Sequence, residues 1–122
     1  MAYINSKATK YSGIYIAILI IVCLSLLNYL NSLSNKFVYD DEFVIVNNYF
    51  IKTWDNFSHL FNKDYFRYAE ELSYRPVVTL SYFIDYSIWG LNPFGFHLTN
   101  LLLHTLNSVL IFFLFTYFLN NR

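Results

Sequence analysis

One cysteine, two prolines and three glycines are all that this 122-residue chain holds of those residues, and only 13% of its side chains are charged. The lone Cys23 has no partner for an intrachain disulfide, so a disulfide-held scaffold is excluded. The formal net charge is zero and no basic cluster occurs, which argues against a nucleic-acid partner. Acidic residues are missing outside positions 40–85, and residues 86–121 contain no Asp, Glu, Lys or Arg at all. There is no glycine-rich phosphate loop, no Ser/His/Asp arrangement and no paired-cysteine metal motif, so soluble nucleotide chemistry lacks support. What the chain does have is apolar bulk, with 57% hydrophobic and 22% aromatic residues. Average soluble domains carry roughly 25% charge. The composition therefore points to a lipid environment and excludes disorder.

The apolar residues fall in two runs. Residues 13–33 are almost continuously apolar up to Leu27, with Asn28 and Asn31 late in the run. At 1.5 Å rise per residue, about 20 residues cross a hydrocarbon layer of roughly 30 Å. Lys7 and Lys10 before this run give it the look of a signal peptide. The apolar core is long for that purpose and no Ala-x-Ala site follows, so an uncleaved anchor is the preferred reading. Residues 93–119 form the second span, opened by Asn92 as N-cap and Pro93 at the first helical position. The expected organisation is a tail over 1–12, a helix over 13–33, a loop over 34–92, a helix over 93–119 and a tail over 120–122. Lys7, Lys10 and Arg122 flank the outer ends of the spans without an acid nearby. By the positive-inside tendency both termini are then cytoplasmic and the loop is periplasmic, lumenal or extracellular.

The loop is rich in rings: 17 of the 27 aromatic residues lie between positions 34 and 95. Thr53 can cap a helix over about 53–62, with Trp54, Phe57, Leu60 and Phe61 on one side. A second helix is expected over about 76–89, opened by Pro76 and stopped by Gly90, with Val77, Leu80, Ile84 and Ile88 in a stripe. Amphipathic helices of this composition suit a position parallel to the membrane surface, although a small globular cap has the same signature. The expected fold is thus an all-α integral membrane protein. Two transmembrane helices are joined by an outer loop with two short membrane-parallel helices.

Three groups of residues could carry chemistry. Asp40, Asp41 and Glu42 are adjacent, so their mutual repulsion should raise at least one pKa unless a cation lies among them. An acid near a membrane surface can act as a general base toward a hydroxyl or ligate a hard cation. A solvated acidic turn has the same sequence. Arg75, in Tyr74-Arg75-Pro76, would sit at the start of the second loop helix, where its planar fork suits a phosphate. It could equally snorkel to lipid headgroups. His97, Asn100, His104 and Asn107 follow at steps of 3, 4 and 3, with Ser108 beside them, and so share one face of the second span. Hydrocarbon solvates such groups poorly, so the stripe should turn toward further protein or a polar cavity. His97 and His104 stand two turns, about 10 Å, apart and cannot together chelate one ion. Cys23 reads as a packing residue, His59 as a surface residue, and Asn56-Phe57-Ser58 as a glycosylation sequon that matters only on a eukaryotic secretory route.

Taken in order, Phe37-Val38-Tyr39-Asp40-Asp41, Leu60-Phe61, Asp64-Tyr65-Phe66, Tyr74-Arg75-Pro76, Gly90-Leu91-Asn92-Pro93 and the stretch from Phe96 to His104 carry a resemblance. Together they resemble the N-terminal part of the transmembrane and tetratricopeptide-repeat O-mannosyltransferases and their bacterial relatives, in the GT-C glycosyltransferase superfamily. The resemblance covers about residues 14–118. It implies an integral-membrane enzyme that takes a sugar, mannose by analogy, from a polyprenyl-phosphate carrier to a protein hydroxyl. It further implies that Asp40 and Asp41 match the family's acidic pair, which orients or deprotonates the acceptor. Glu42 is no family position. Arg75 matches the family's YRP arginine, and we assign it to the lipid-linked phosphate. His97, Asn100 and His104 match a stretch that lines the site or packs helices.

Family members have about ten or more spans, so this chain is expected to be a fragment or module without transferase activity alone. Its partners would be membrane lipids, the polyprenyl-phosphate sugar, a protein acceptor and further transmembrane helices. No resident cofactor or metal is assigned. The competing reading is a small non-enzymatic two-span protein that docks onto a larger membrane complex.

Overall fold

The computed structural model describes residues 2–69 and 73–121, with side chains from Ser12 onward except that of Tyr68. Arg122 and the side chains of Lys7 and Lys10, which carry the orientation argument, lie outside the described residues. Among those described, every regular element is helical and there is no strand. The α-helices are α1 (Ala2–Tyr29), α2 (Tyr65–Tyr68), α3 (Pro76–Trp89) and α4 (Pro93–Asn120). Shorter turns of 3-10 helix cover Leu30–Ser34, Phe50–Lys52 and Trp54–His59, and one turn of π-helix covers Glu42–Val46.

Two helical stretches are long and apolar enough to cross a bilayer, Ser12–Ser34 and Pro93–Asn120. The chain divides into two compact units, one of residues 1–31 with 100–122 and one of residues 32–99. In the first, only Ser25 and Leu101 are buried among the described residues, while Tyr15, Leu19, Leu27, Phe115 and Leu119 are each more than 60% exposed. Water does not tolerate so large a continuous apolar surface on a monomer, whereas acyl chains and other helices do. This is the surface of a membrane protein.

The second unit has a core of its own. Val44, Ile45, Phe50, Ile51, Leu60, Tyr65, Ala69, Phe83 and Phe96 are buried together, with Phe37, Leu80, Tyr82 and Tyr86 packed against them. The rings meet edge to face: Phe50 with Phe83 at 5.4 Å and 74°, and Phe37 with Phe96 at 5.4 Å and 77°. That geometry places positive ring edges on negative faces and adds about 0.5–1.5 kcal/mol per pair beyond area burial. The 3-10 turn over 54–59 has three residues per turn, so Trp54, Phe57 and Leu60 line one edge. Leu60 is fully buried, while Trp54 and Phe57 are half exposed and Phe61 is exposed.

Helix α3 turns its more polar side inward. Thr79, Phe83 and Asp85 are buried, whereas Val77, Ile84 and Ile88 are exposed. The expected stripe of Val77, Leu80, Ile84 and Ile88 is therefore mostly an outer face. Gly90 ends the helix at φ 59°, a value that favours glycine, and its N–H donates to the Tyr86 carbonyl. Asn92 then opens α4, its side-chain oxygen accepting from the Phe94 N–H at 3.2 Å.

Candidate functional site

The acidic trio sits on a tight turn after the first span. Val38 and Asp41 exchange two hydrogen bonds: the Val38 N–H donates to Asp41 Oδ2 at 2.9 Å, and the Asp41 N–H donates to the Val38 carbonyl at 3.1 Å. This reciprocal pairing works as a capping box does, one side chain reaching back three residues to satisfy an orphan amide. Tyr39, inside the turn, has φ 54°, in the left-handed region costly for a residue with a Cβ. Asp41 is half-buried, and one of its carboxylate oxygens closes the turn. Asp40 and Glu42 are exposed, and the Asp40 carbonyl accepts the Phe43 and Val44 amides that start the π-turn. Lys52 closes that turn, its ammonium donating to the Val46 carbonyl at 2.8 Å while lying 4.6 Å from the Tyr49 ring centre.

Arg75 is the last residue before α3, with φ −130° and ψ 56°. Proline at the next position keeps it out of the helical region. Its carbonyl accepts twice from Thr79, from the N–H at 2.9 Å and from the hydroxyl at 3.1 Å. Nearby, Phe61, Asn62, Lys63, Phe66 and Tyr74 line an open cleft of about 370 Å³. His59 lies 3.8 Å from the Asp64 carboxylate, and the Asn56 amide of the sequon donates to the Phe50 carbonyl at 2.9 Å.

The structure places Asp40, Asp41, Arg75 and His97 in the unit of residues 32–99, and Asn100 and His104 in the unit with the spans. Helix α4 is continuous through them, so the spacing of the polar stripe along it is kept. His97 is half-buried, and its Nε2 is shielded from solvent without a hydrogen-bond partner among the described residues. The His104 ring packs on Tyr29 with centres 4.7 Å apart. It helps line an open groove of about 540 Å³ between α1 and α4, with Ser25, Asn28 and Ser108 as its other polar walls. Among the described residues no three His, Cys, Asp or Glu side chains lie where they could share a metal ion.

Two pairs were not singled out from sequence. Asp85 is buried, 3% exposed, and accepts the Thr99 hydroxyl at 2.5 Å. Burial raises its pKa above the ordinary carboxylate value, against a smaller opposing effect of the Thr99 hydrogen bond. A signal was available, because Asp85 is the one charged residue between Pro76 and Asn121. The other pair is Tyr65 with Thr79, whose oxygens are 2.7 Å apart in the core.

Known proteins are similar to this chain over most of its length. Mouse and human protein O-mannosyl-transferase TMTC2 are each 39% identical to the chain over 94 residues, 73% of its length. The chain is a partial relative of the TMTC O-mannosyl-transferases. The Caenorhabditis elegans protein O-mannosyl-transferase F38B6.6 is 32% identical over 101 residues, 79% of the chain, and mouse TMTC4 is 33% identical over 104 residues, 80% of it. The chain spans only 11–14% of the length of these relatives. No protein-family profile and no solved structure matches it.

Proposed function

We propose that this chain is a membrane module of a GT-C-type glycosyltransferase that moves a sugar, mannose by analogy with its relatives, from a polyprenyl-phosphate carrier to a protein hydroxyl. The observation that carries this reading is the 32–39% identity to proteins named O-mannosyl-transferases. In this reading the termini are cytoplasmic, and the loop faces the opposite compartment with α3 lying along the membrane. The outward Val77, Ile84 and Ile88 favour that placement, since a helix facing water on that side would expose polar residues.

Asp40 and Asp41 would receive the acceptor. Asp41 is held by its own turn, and its other oxygen with the exposed Asp40 carboxylate would supply the proton acceptor for a hydroxyl. Arg75 would balance the negative charge left on the carrier phosphate as the bond to the sugar breaks. His97, Asn100 and His104 would bind further membrane helices or line the site, and completion by those helices would be required for transfer.

The test is a chimaera in which this chain replaces the matching stretch of mouse TMTC2. Asp41→Asn keeps an oxygen to accept the Val38 amide while removing the charge. It is expected to lower transfer about 10²–10⁴-fold with membrane insertion unchanged. The second reading, a non-enzymatic docking protein, draws on the polar groove between α1 and α4. It predicts an active chimaera whose rate is indifferent to Asp41→Asn.

A further inference from the structure

Tyr65 and Thr79 are both fully buried, although each carries a hydroxyl. Leaving such a group without a partner costs about 1–3 kcal/mol, so where their protons go is informative. The Thr79 hydroxyl can donate to the Arg75 carbonyl at 3.1 Å. The two hydroxyl oxygens lie 2.7 Å apart, and either can be the donor. The result is a chain of contacts, from the Tyr65 hydroxyl to the Thr79 hydroxyl and from there to the carbonyl of Arg75.

A threonine that back-bonds to the carbonyl four residues earlier is common in helices. A second buried hydroxyl, from 14 residues upstream and aimed at the same point, is not required by the helix. Tyr65 also grips the neighbouring residue, its ring standing edge-on to Tyr74 at 5.0 Å and 86°. Its far side meets Phe50 at 6.2 Å and 79°, which ties it into the core. The Tyr74–Arg75 turn is thus held by ring packing on one residue and by a polymer of hydrogen bonds on the next.

We propose that Tyr65 and Thr79 are positioning residues for Arg75, fixing the base of its side chain so that the guanidinium meets a phosphate monoester in one orientation. This rests on the reading of Arg75 as a phosphate contact. Neither hydroxyl touches the ligand. Both act through the Arg75 backbone, because a guanidinium loses less entropy on forming a bidentate contact when its stem starts from a rigid point.

The full chain in phosphatidylcholine nanodiscs is titrated with dodecyl phosphate and, separately, with inorganic phosphate to distinguish a lipid-borne from a free ligand. In whichever arm binds, Tyr65→Phe and Thr79→Val are expected to weaken affinity about tenfold, while Thr79→Ser, which keeps the hydroxyl, binds like the wild type. Wild-type affinity in both Tyr65→Phe and Thr79→Val, with Arg75→Gln impaired, overturns the positioning role and leaves the Arg75 reading standing. Undiminished binding by Arg75→Gln overturns the Arg75 reading itself, and the positioning role with it. Should the core variants unfold, the wild type decides. The Thr79 amide, bonded to the Arg75 carbonyl at 2.9 Å, must exchange more slowly with deuterium when whichever of dodecyl phosphate and inorganic phosphate binds is present at saturation. Unchanged exchange overturns the proposal.

Discussion

Asp85 illustrates how a single buried group sets the behaviour of the loop. Its folded pKa is raised, so the folded chain holds the proton more tightly than the unfolded one. Stability is then greatest below the unfolded value near 3.8 and declines as pH rises from there through the folded pKa. We expect thermal melts of the loop to show this acid-side maximum and Asp85→Asn to flatten it. Thr99→Val, which leaves the carboxyl without that hydroxyl donor, should cost about 1–3 kcal/mol in denaturant unfolding. At this scale the sequence was partly legible. Asp40 and Asp41 stood out because three acids in a row are unusual, and Arg75 because proline follows it. That Asp41 also closes its own turn was not legible, since the bond depends on a backbone angle at Tyr39 that non-glycine residues seldom adopt. Tyr65 and Thr79 were hidden for a different reason, as their pairing joins segments that no periodicity links.

The α3–α4 corner makes the corresponding case for elements. Gly95 is buried beneath the Trp89 indole, and a Cβ built there would lie 2.1 Å from Trp89 Cγ. Gly95→Ala must therefore displace the ring, and we expect a loss of about 1–3 kcal/mol from overpacking, lessened when Trp89→Ala is combined with it. Gly90→Ala should cost about 1–3 kcal/mol for a different cause, the backbone at φ 59° and ψ −132° with open space around it. Both losses can be read as shifts in denaturant midpoint. The ends of α3 were readable because Pro76 and Gly90 act locally, through one missing N–H and one missing Cβ. Its inward side was not. A 3.6-residue count identifies an apolar stripe but cannot say that the stripe stays outside while the core takes Thr79, Phe83 and Asp85. The π-turn over Glu42–Val46 also escapes such counting, because its closing bond from Asn47 to Glu42 skips one residue more than an α-helix does.

At the scale of the whole molecule, the two long apolar runs were the clearest signal, because a bilayer demands about 20 such residues and little else supplies them. The sidedness of the loop is open to direct measurement. With Cys23 replaced by alanine, a cysteine introduced at Ser73 is expected to react with an impermeant maleimide from outside intact cells or spheroplasts, and one at Ser12 only after lysis. The reverse pattern would remove the proposed site from the compartment where acceptor proteins are modified. The ring-rich loop offers one more practical handle. Trp54 donates its indole N–H to Ser87 at 2.8 Å while packing on Phe83 at 5.4 Å, and Trp89 lies over Gly95. Neither span contains tryptophan, so indole emission, excited where tyrosine does not absorb, reports on the loop alone. Packing of the loop can thus be followed by indole emission in the same cuvette as the far-ultraviolet ellipticity of all the helices, α3 included.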